Sequence, residues 1–207
     1  MMGFDNNNQK SAIKRADIAK ITYAQRAHML QHIPNGSPLK KTHITSKFGM
    51  RKKHPVTGKR KFHKGIDLRA KENTKVYATA DGIVMATKKA RQTGGLGQAL
   101  ILVHNYGFKT YYGHLNKFLV KKGDYVKKGQ LIALSGNTGR STAPHLHYEV
   151  RYLGMPQNPK YFLYWDLKTY ERIFKKTRKI NWEAILKMIK NELAQQKQII
   201  MSSKNKK

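Results

Sequence analysis

The chain has 207 residues, no cysteine and a formal net charge of +31 at pH 7. This length predicts one medium domain with appendages, and the missing cysteines exclude disulfides and thiolate metal sites. No run of about 18 apolar residues occurs, so the sequence predicts no membrane-spanning helix. The charge predicts attraction to a polyanion, which could be nucleic acid, anionic lipid or an acidic wall polymer.

The arrangement of the charge argues against nucleic acid as the partner. Lysines and arginines are spread along the whole chain, without a zinc finger, basic zipper or RNA-recognition signature. The glycine-rich loop at 94–97 lacks the Lys-Ser/Thr pair of a phosphate loop and leads into a strand pattern. We therefore expect no nucleic acid partner, and tight sequence-preferring binding at physiological salt would contradict this expectation.

The first predicted element is a helix over residues 11–31, because apolar residues recur there at helical spacing without glycine or proline. Pro34, Gly36 and Pro38 then predict a linker. We assign the N-terminal helix and linker to residues 1–38. This helix either packs on its own domain or serves as a stalk or a docking surface for a partner.

From residue 42 onward the pattern changes to short strands separated by glycine and Asp-Gly turns. The predicted strands lie at 44–49, 65–68, 75–79, 82–86, 99–104, 109–114, 125–126 and 130–134. No long helical segment interrupts them. This spacing predicts a mainly β fold, an antiparallel β-sandwich or half-barrel core, which we assign to residues 39–160.

After Pro159 the pattern becomes helical again. Apolar residues repeat at helical spacing from Trp182 to Leu193, and Asn181 is placed to cap this helix. The helix is expected to cover an edge of the core, with a lid or a partner interface as the alternative. Residues 202–207 are expected to be disordered. The extension at 161–207 therefore flanks the core with a second helical segment.

The segment 142–149 carries the first candidate ligands. Its apolar alternation after Pro144 predicts a short strand entered from a turn. Side chains alternate between the faces of a strand, which places His145 and His147 on one face, roughly 6–7 Å apart. Neutral histidine is the commonest protein metal ligand. Taken alone, a His-x-His pair is more often two polar residues on a solvated face, so the assignment depends on the rest of the chain.

His63 and Asp67 supply further candidates. A spacing of four puts both side chains on one face in a strand or in a helix. Together with His147 they provide two imidazoles and one carboxylate, a set typical of catalytic zinc, which keeps one coordination position for water or substrate. The same donors are also typical of a non-haem iron triad, and metal analysis would distinguish the two.

Hydrolysis at such a metal also needs a proton acceptor and support for the tetrahedral intermediate. His145 shares a face with His147, and His114 ends a predicted strand, so both are candidates. Glu149 lies on the same face and is either a hydrogen-bond acceptor for one of these rings or an ordinary exposed carboxylate. The remaining histidines lack such a setting and are predicted to be surface or core residues: His28, His32, His43, His54 and His104.

Three motifs, in this order, resemble the lysostaphin-type (LytM-like) zinc endopeptidases. They are His63-x-x-x-Asp67, Tyr112-Gly113-His114-Leu115 and His145-Leu146-His147, and the flanking segments 44–51, 54–58 and 136–142 are similar as well. The resemblance covers roughly residues 44–159, and three ordered motifs with their flanks are highly specific. The family pattern usually has glycine where this chain has Ala143, a small change that we expect to be tolerated.

The resemblance implies a LytM-like β core that holds one Zn²⁺ per chain through His63, Asp67 and His147. It further implies that His114 and His145 activate water and stabilise the oxyanion. The family cuts peptide cross-links in bacterial peptidoglycan, so peptidoglycan becomes the expected anionic partner. The alternative is a catalytically silent LytM-like regulatory subunit of a wall-hydrolase complex, whose cleft is blocked by a terminal helix or by Arg51 and its neighbours.

The motifs and the basic flanking helices are together similar to the cell-shape-determining endopeptidases of curved and helical Gram-negative bacteria. That similarity implies cleavage of the D-alanyl–diaminopimelate cross-link and a role in wall remodelling and cell shape. It also implies a place in the periplasm or cell envelope, with an N-terminal membrane anchor missing from this sequence. A paralogous LytM-like protein is the implied protein partner.

Overall fold

The computed structural model describes residues 13, 15–51, 60–93, 95–177 and 179–204. The helices, in chain order, are α1 (Arg15–Ala19), α2 (Tyr23–His32), α3 (Lys160–Leu163), α4 (Glu171–Lys176) and α5 (Trp182–Lys204). The first strands are β1 (Ile44–Ser46), β2 (Gly49–Arg51), β3 (Lys61–His63), β4 (Ile66–Arg69), β5 (Lys75–Tyr77) and β6 (Gly82–Lys88). They continue with β7 (Gln98–Val103), β8 (Phe108–Phe118), β9 (Tyr125–Val126), β10 (Leu131–Ser135), β11 (His145–Tyr152) and β12 (Met155–Gln157).

The strands form one large antiparallel sheet with the order β1-β4-β11-β8-β7-β6-β9. β10 pairs with both β5 and β8, β12 pairs with β11, and β2 pairs with β3 in a separate two-stranded sheet. The mainly β, antiparallel fold with flanking helices is therefore confirmed. The central strands β11 and β8 are buried along most of their length, and several of their polar side chains, including His114, His147 and Glu149, are buried with them.

The longest strand, β8, changes partner at His114. Its first part, up to Gly113, pairs with β11, and its last part, from Leu115, pairs with β10. Between them His114 has a φ of 58°, in the left-handed region that is rare for non-glycine residues and costs about 1–3 kcal/mol. Its backbone N–H donates to the Leu96 carbonyl at 2.6 Å. This bend interrupts the alternation of faces along β8.

The predicted helix over residues 11–31 is wrong as a single element. The described part contains two short helices, because the helical conformation is interrupted at residues 20–22. Thr22 caps α2: its hydroxyl accepts from the Gln25 N–H at 3.2 Å, and the Gln25 side chain accepts from the Thr22 N–H at 2.8 Å. A capping box of this kind starts a new helix, and periodicity alone does not detect it.

The N-terminal helix α2 packs on its own domain. Asp81, which directly precedes β6, accepts from the Gln31 side chain at 2.7 Å, the Tyr125 hydroxyl at 2.9 Å and the Lys128 backbone N–H at 2.7 Å. The Lys128 ammonium in turn donates to the Leu30 carbonyl at 2.9 Å, in the last turn of the helix. A cation at a helix C-terminus is favourable, so this network fastens α2 to the sheet.

The C-terminal helix begins as predicted, since the Ala184 N–H donates to Asn181 Oδ1 at 3.1 Å. Trp182, Ile185 and Ile189 are buried in the same apolar core as the sheet. The helix runs on to Lys204, so the expectation of disorder is wrong for residues 202–204, because helix propagation costs little once a long helix is nucleated. Residues 205–207 lie outside the described part, and the assignment of the boundaries at 38/39 and 160/161 stays a prediction.

In the described part of the chain, no helix is both long and apolar enough to cross a bilayer. The predicted loop at 54–58, with His54, lies outside the described residues.

His104 is a core histidine, as predicted. Its Nδ1 lies 2.7 Å from the Asp81 carbonyl oxygen and its Nε2 lies 2.7 Å from the Thr110 hydroxyl. Burial lowers its pKa from 6.5 to about 4. Between those two pH values the unfolded chain binds a proton that the native protein excludes, so stability falls as the pH drops through this window. We expect His104 to cost about 3 kcal/mol of unfolding free energy on going from pH 7 to pH 4.

Urea unfolding of the wild type and of His104→Gln at both pH values checks this expectation. Glutamine offers a donor and an acceptor but does not titrate, so the variant should lose less stability than the wild type on acidification. An equal loss in the two proteins would contradict the assignment to His104.

Candidate metal centre and cleft

The candidate site lies in an open cleft of about 590 Å³ on the face of the sheet where β4, β11 and β8 run side by side. The cleft is lined by all five predicted site residues, His63, Asp67, His114, His145 and His147. None of the described α-helical residues lines it. The helices that the structure describes therefore leave the cleft open.

Three donor atoms converge on the floor of the cleft. His147 Nδ1 lies 2.9 Å from Asp67 Oδ1, and His63 Nε2 lies 3.2 Å from the same oxygen and 3.1 Å from His147 Nδ1. Ligand atoms about 2.0–2.1 Å from a tetrahedral zinc ion are separated by roughly 3.3 Å. Among the described residues, these three form the group of His, Asp and Glu side chains that could hold a metal ion. Their spacing and chemistry fit zinc.

The prediction that His63 and Asp67 lie on one face of a single strand or helix is wrong. The two residues share neither a strand nor a helix: His63 ends β3 in the two-stranded sheet, and Asp67 lies in β4 of the large sheet. The chain turns between them at Lys64 and Gly65. A Cβ on Gly65 would lie 2.4 Å from the Tyr148 carbonyl oxygen, so only glycine allows this close passage over β11.

Backbone carbonyls orient three of the rings. His63 Nδ1 lies 2.8 Å from the Lys47 carbonyl oxygen, His114 Nδ1 lies 2.7 Å from that of Thr138, and His145 Nδ1 lies 2.8 Å from that of Ala143. A carbonyl oxygen only accepts, so each Nδ1 carries the hydrogen when the ring is neutral. The unprotonated Nε2 of each ring is then left for the site.

When it is neutral, as a metal ligand must be, His147 takes the opposite tautomer, because the partner of its Nε2 is a carboxylate. Its Nε2 donates to Glu149 Oε1 at 3.0 Å, which leaves Nδ1 to face Asp67. Glu149 is 2% exposed, and Arg151 donates to its other oxygen through Nε at 2.7 Å and Nη2 at 2.6 Å. The guanidinium group of Arg151 stacks on the ring of Tyr111 at 4.0 Å. Of the two roles considered for Glu149, the structure therefore supports the hydrogen-bond acceptor for a ring.

These contacts set the charges of the site. Burial disfavours the charged form of His147, but hydrogen bonds to Asp67 and Glu149 raise its pKa to about 9. Burial also disfavours ionised Asp67, but the close contacts with the His147 and His63 rings, which favour the carboxylate when either ring is protonated, hold the pKa of this carboxyl well below its usual range. Burial lowers the pKa of His114 to about 4. The ring of His114 is therefore uncharged at neutral pH.

The two remaining histidines lie next to the three donors. The rings of His114 and His145 are 4.5 Å apart between centroids, and His145 Nε2 lies 3.6 Å from Asp67 Oδ1. The left-handed backbone of His114 directs its ring to the same side as His145. Among the described residues, the other histidines do not line the cleft: His28, His32, His43 and His104.

Arg51 reaches the same floor from β2. Its Nη2 donates to Asp67 Oδ2 at 2.6 Å and to the Ser46 hydroxyl at 2.7 Å, and it lies 2.8 Å from Nδ1 and 3.0 Å from Nε2 of His63. Asp67 thus presents one oxygen to Arg51 and the other to the histidines. Sequence reasoning named Arg51 only as a blocking residue and did not find Arg151. Arg51 contacts Asp67 and Arg151 contacts Glu149. Arg51 lies far from Asp67 along the chain, so residue spacing gives no sign of this contact.

Comparisons with known proteins agree with this geometry. The sequence profile of peptidase family M23 matches residues 61–159. The chain is 45% identical over 130 residues to the peptidoglycan DD-endopeptidase ShyB of Vibrio cholerae, which covers 62% of this chain and 30% of ShyB. A zinc-containing peptidase from Vibrio cholerae superposes with a TM-score of 0.57 at 42% identity, covering 66% of this chain and 41% of that one.

The chain spans only part of the curated relatives that it matches: 30% of the length of ShyB, and 24% and 28% of two further relatives. The catalytic domain of lysostaphin from Staphylococcus simulans is matched almost completely. It superposes with a TM-score of 0.53 at 34% identity, and the match covers 59% of this chain and 92% of that domain. Because the chain reproduces nearly the whole of that catalytic domain at 34% identity and matches the family profile over residues 61–159, it belongs to peptidase family M23.

Proposed function

We propose that this chain is a zinc-dependent endopeptidase that hydrolyses peptide cross-links of bacterial peptidoglycan, at the D-alanyl–diaminopimelate bond. The observation that carries the proposal is the three-donor group of His63, Asp67 and His147, with His114 and His145 beside it in an open cleft. The similarity to a peptidoglycan DD-endopeptidase and to a zinc-containing peptidase supports the substrate and the metal.

In this proposal His63, Asp67 and His147 hold the ion, which when bound polarises a carbonyl group and lowers the pKa of water. Of the pair His114 and His145, one accepts the proton of the attacking water and the other donates a hydrogen bond to the developing oxyanion. Backbone carbonyls hold the Nδ1 hydrogen of both rings and leave Nε2 towards the cleft. An unprotonated Nε2 can accept the proton of water, whereas the ring that donates to the oxyanion must carry a second proton on Nε2.

The charge of +31 supports a place against an anionic wall polymer. We accordingly assign the enzyme to the periplasm or cell envelope, where cleavage of cross-links would remodel the wall and set cell shape. An N-terminal membrane anchor beyond this sequence and a paralogous LytM-like partner are parts of the same proposal, and they rest on the family resemblance.

Digestion of purified sacculi tests the proposed activity. The isolated chain should contain about one zinc ion and should convert dimeric muropeptides into monomers, as detected by mass spectrometry. A chelator should stop this conversion, and added zinc should restore it. Iron in place of zinc would replace the metal assignment. Zinc binding without loss of dimers would contradict the enzyme and favour the silent regulatory subunit.

Arg51 separates the enzyme from that rival, since its guanidinium group lies against Asp67 and His63. If Arg51 positions Asp67, Arg51→Ala should lower the rate of dimer cleavage by about tenfold, as expected for residues that orient metal ligands. If Arg51 instead blocks the cleft, the same variant should cleave dimers that the wild type leaves intact. Arg91→Ala, an exposed arginine outside the cleft lining, is the matched control.

A further inference from the structure

Several cationic side chains line the cleft, and they differ in whether a carboxylate of this chain already binds them. Arg51 and Arg151 are bound to the carboxylates of Asp67 and Glu149. In contrast, the exposed side chain of Arg69 forms no hydrogen bond or ion pair with any residue that the structure describes. Asp67 and Glu149 are the acidic residues in the cleft lining among the described residues, and both are already paired. The cleft therefore offers Arg69 no internal counter-charge.

The sheet register places Arg69 beside the reacting groups. Residues 67 and 69 of β4 lie on the same face, about 6.5–7 Å apart along the strand. Arg69 pairs with His145 across β4 and β11, as Asp67 pairs with His147. Directly opposed residues have Cβ atoms about 4.5–5.5 Å apart. Arg69 thus lies two residues beyond the proposed metal ligand Asp67, at the next position on the same face, and beside the proposed catalytic residue His145.

A guanidinium group recognises a carboxylate through paired hydrogen bonds. In a D-alanyl–diaminopimelate cross-link, the carbon that bears the scissile amide nitrogen also bears a free carboxylate. A substrate whose scissile amide is held over the three donor atoms would therefore bring this carboxylate within reach of Arg69. We propose that Arg69 binds the carboxylate beside the scissile amide and thereby selects anionic cross-links. This inference rests on the proposed function and specifies its substrate.

A pair of matched substrates tests the proposal. The two cross-linked muropeptides are identical except that the carboxyl group beside the scissile amide is free in one and amidated in the other. We expect wild-type protein to cleave the free acid with a kcat/KM about 10- to 100-fold higher than the amide. Arg69→Gln should lose most of this preference by slowing the free acid, while its rate on the amide stays close to that of the wild type. Arg69→Lys should keep part of the preference.

Two controls separate specific recognition from a general field. Lys61→Gln removes another exposed cation of the cleft lining, and Arg172→Gln removes an exposed arginine outside the cleft. Both should retain the wild-type preference for the free acid. If Arg69→Gln slows both substrates equally, or if Lys61→Gln abolishes the preference to the same extent, Arg69 does not read the carboxylate. Failure of the wild type to cleave either substrate would instead overturn the proposed function.

Discussion

His145→Ala is expected to reduce cleavage of dimeric muropeptides by about 10²- to 10⁴-fold, the range typical of a general acid or base. The ring of His145 lies 4.5 Å from that of His114, and its Nε2 lies 3.6 Å from Asp67 Oδ1. The three closer donor atoms are all retained in the variant, so its zinc content should equal that of the wild type. Mass spectrometry of the muropeptides and metal analysis of the same sample check both expectations.

His43→Ala is the matched control, because His43 is an exposed histidine that precedes β1 and is absent from the cleft lining. It should cleave dimers at the wild-type rate. Loss of zinc in His145→Ala would show that His145 acts as a ligand, contrary to the proposal. Full activity of His145→Ala would remove it from the chemistry altogether.

Glu149→Ala is expected to lower the free energy of unfolding by about 3 kcal/mol, since removing one member of a buried ion pair leaves the other uncompensated. Glu149 is buried between His147 Nε2 at 3.0 Å and the Arg151 guanidinium at 2.6 Å. The variant should also bind zinc about 10- to 100-fold more weakly, because Glu149 fixes the tautomer of His147. Urea unfolding in the presence of a chelator gives the first quantity, and chelator competition gives the second.

The double variant Glu149→Ala with Arg151→Ala distinguishes an ion-pair effect from a cavity. If the uncompensated charge of Arg151 causes the instability, the double variant should be less destabilised than the sum of the single variants. The zinc affinity should stay weak, because the acceptor for His147 is still missing. Additive losses would contradict the ion-pair explanation.

Sequence reasoning predicted the β core well because its cues are local. Alternation of apolar residues and glycine turns predicted β1 and the strands from β4 to β11 but not the β2–β3 pair, and the N-cap at Asn181 placed the start of the last helix. It predicted the N-terminal helix poorly, since periodicity continues across Thr22 while its side-chain hydrogen bonds break the helix. The five candidate site residues were inferred from motif order, and the sheet together with the β2–β3 hairpin brings all five to one cleft.

What the sequence alone determined is the set of candidate ligands and catalytic histidines: three ordered motifs name the histidines and the aspartate, and β alternation puts His145 and His147 on one face. The fold decided the rest. The tautomers depend on carbonyls of Lys47, Thr138 and Ala143, and the position of Arg69 depends on the register between β4 and β11. Backbone carbonyls are present at every residue, and strand register is a long-range property, so neither leaves a pattern in the order of amino acids.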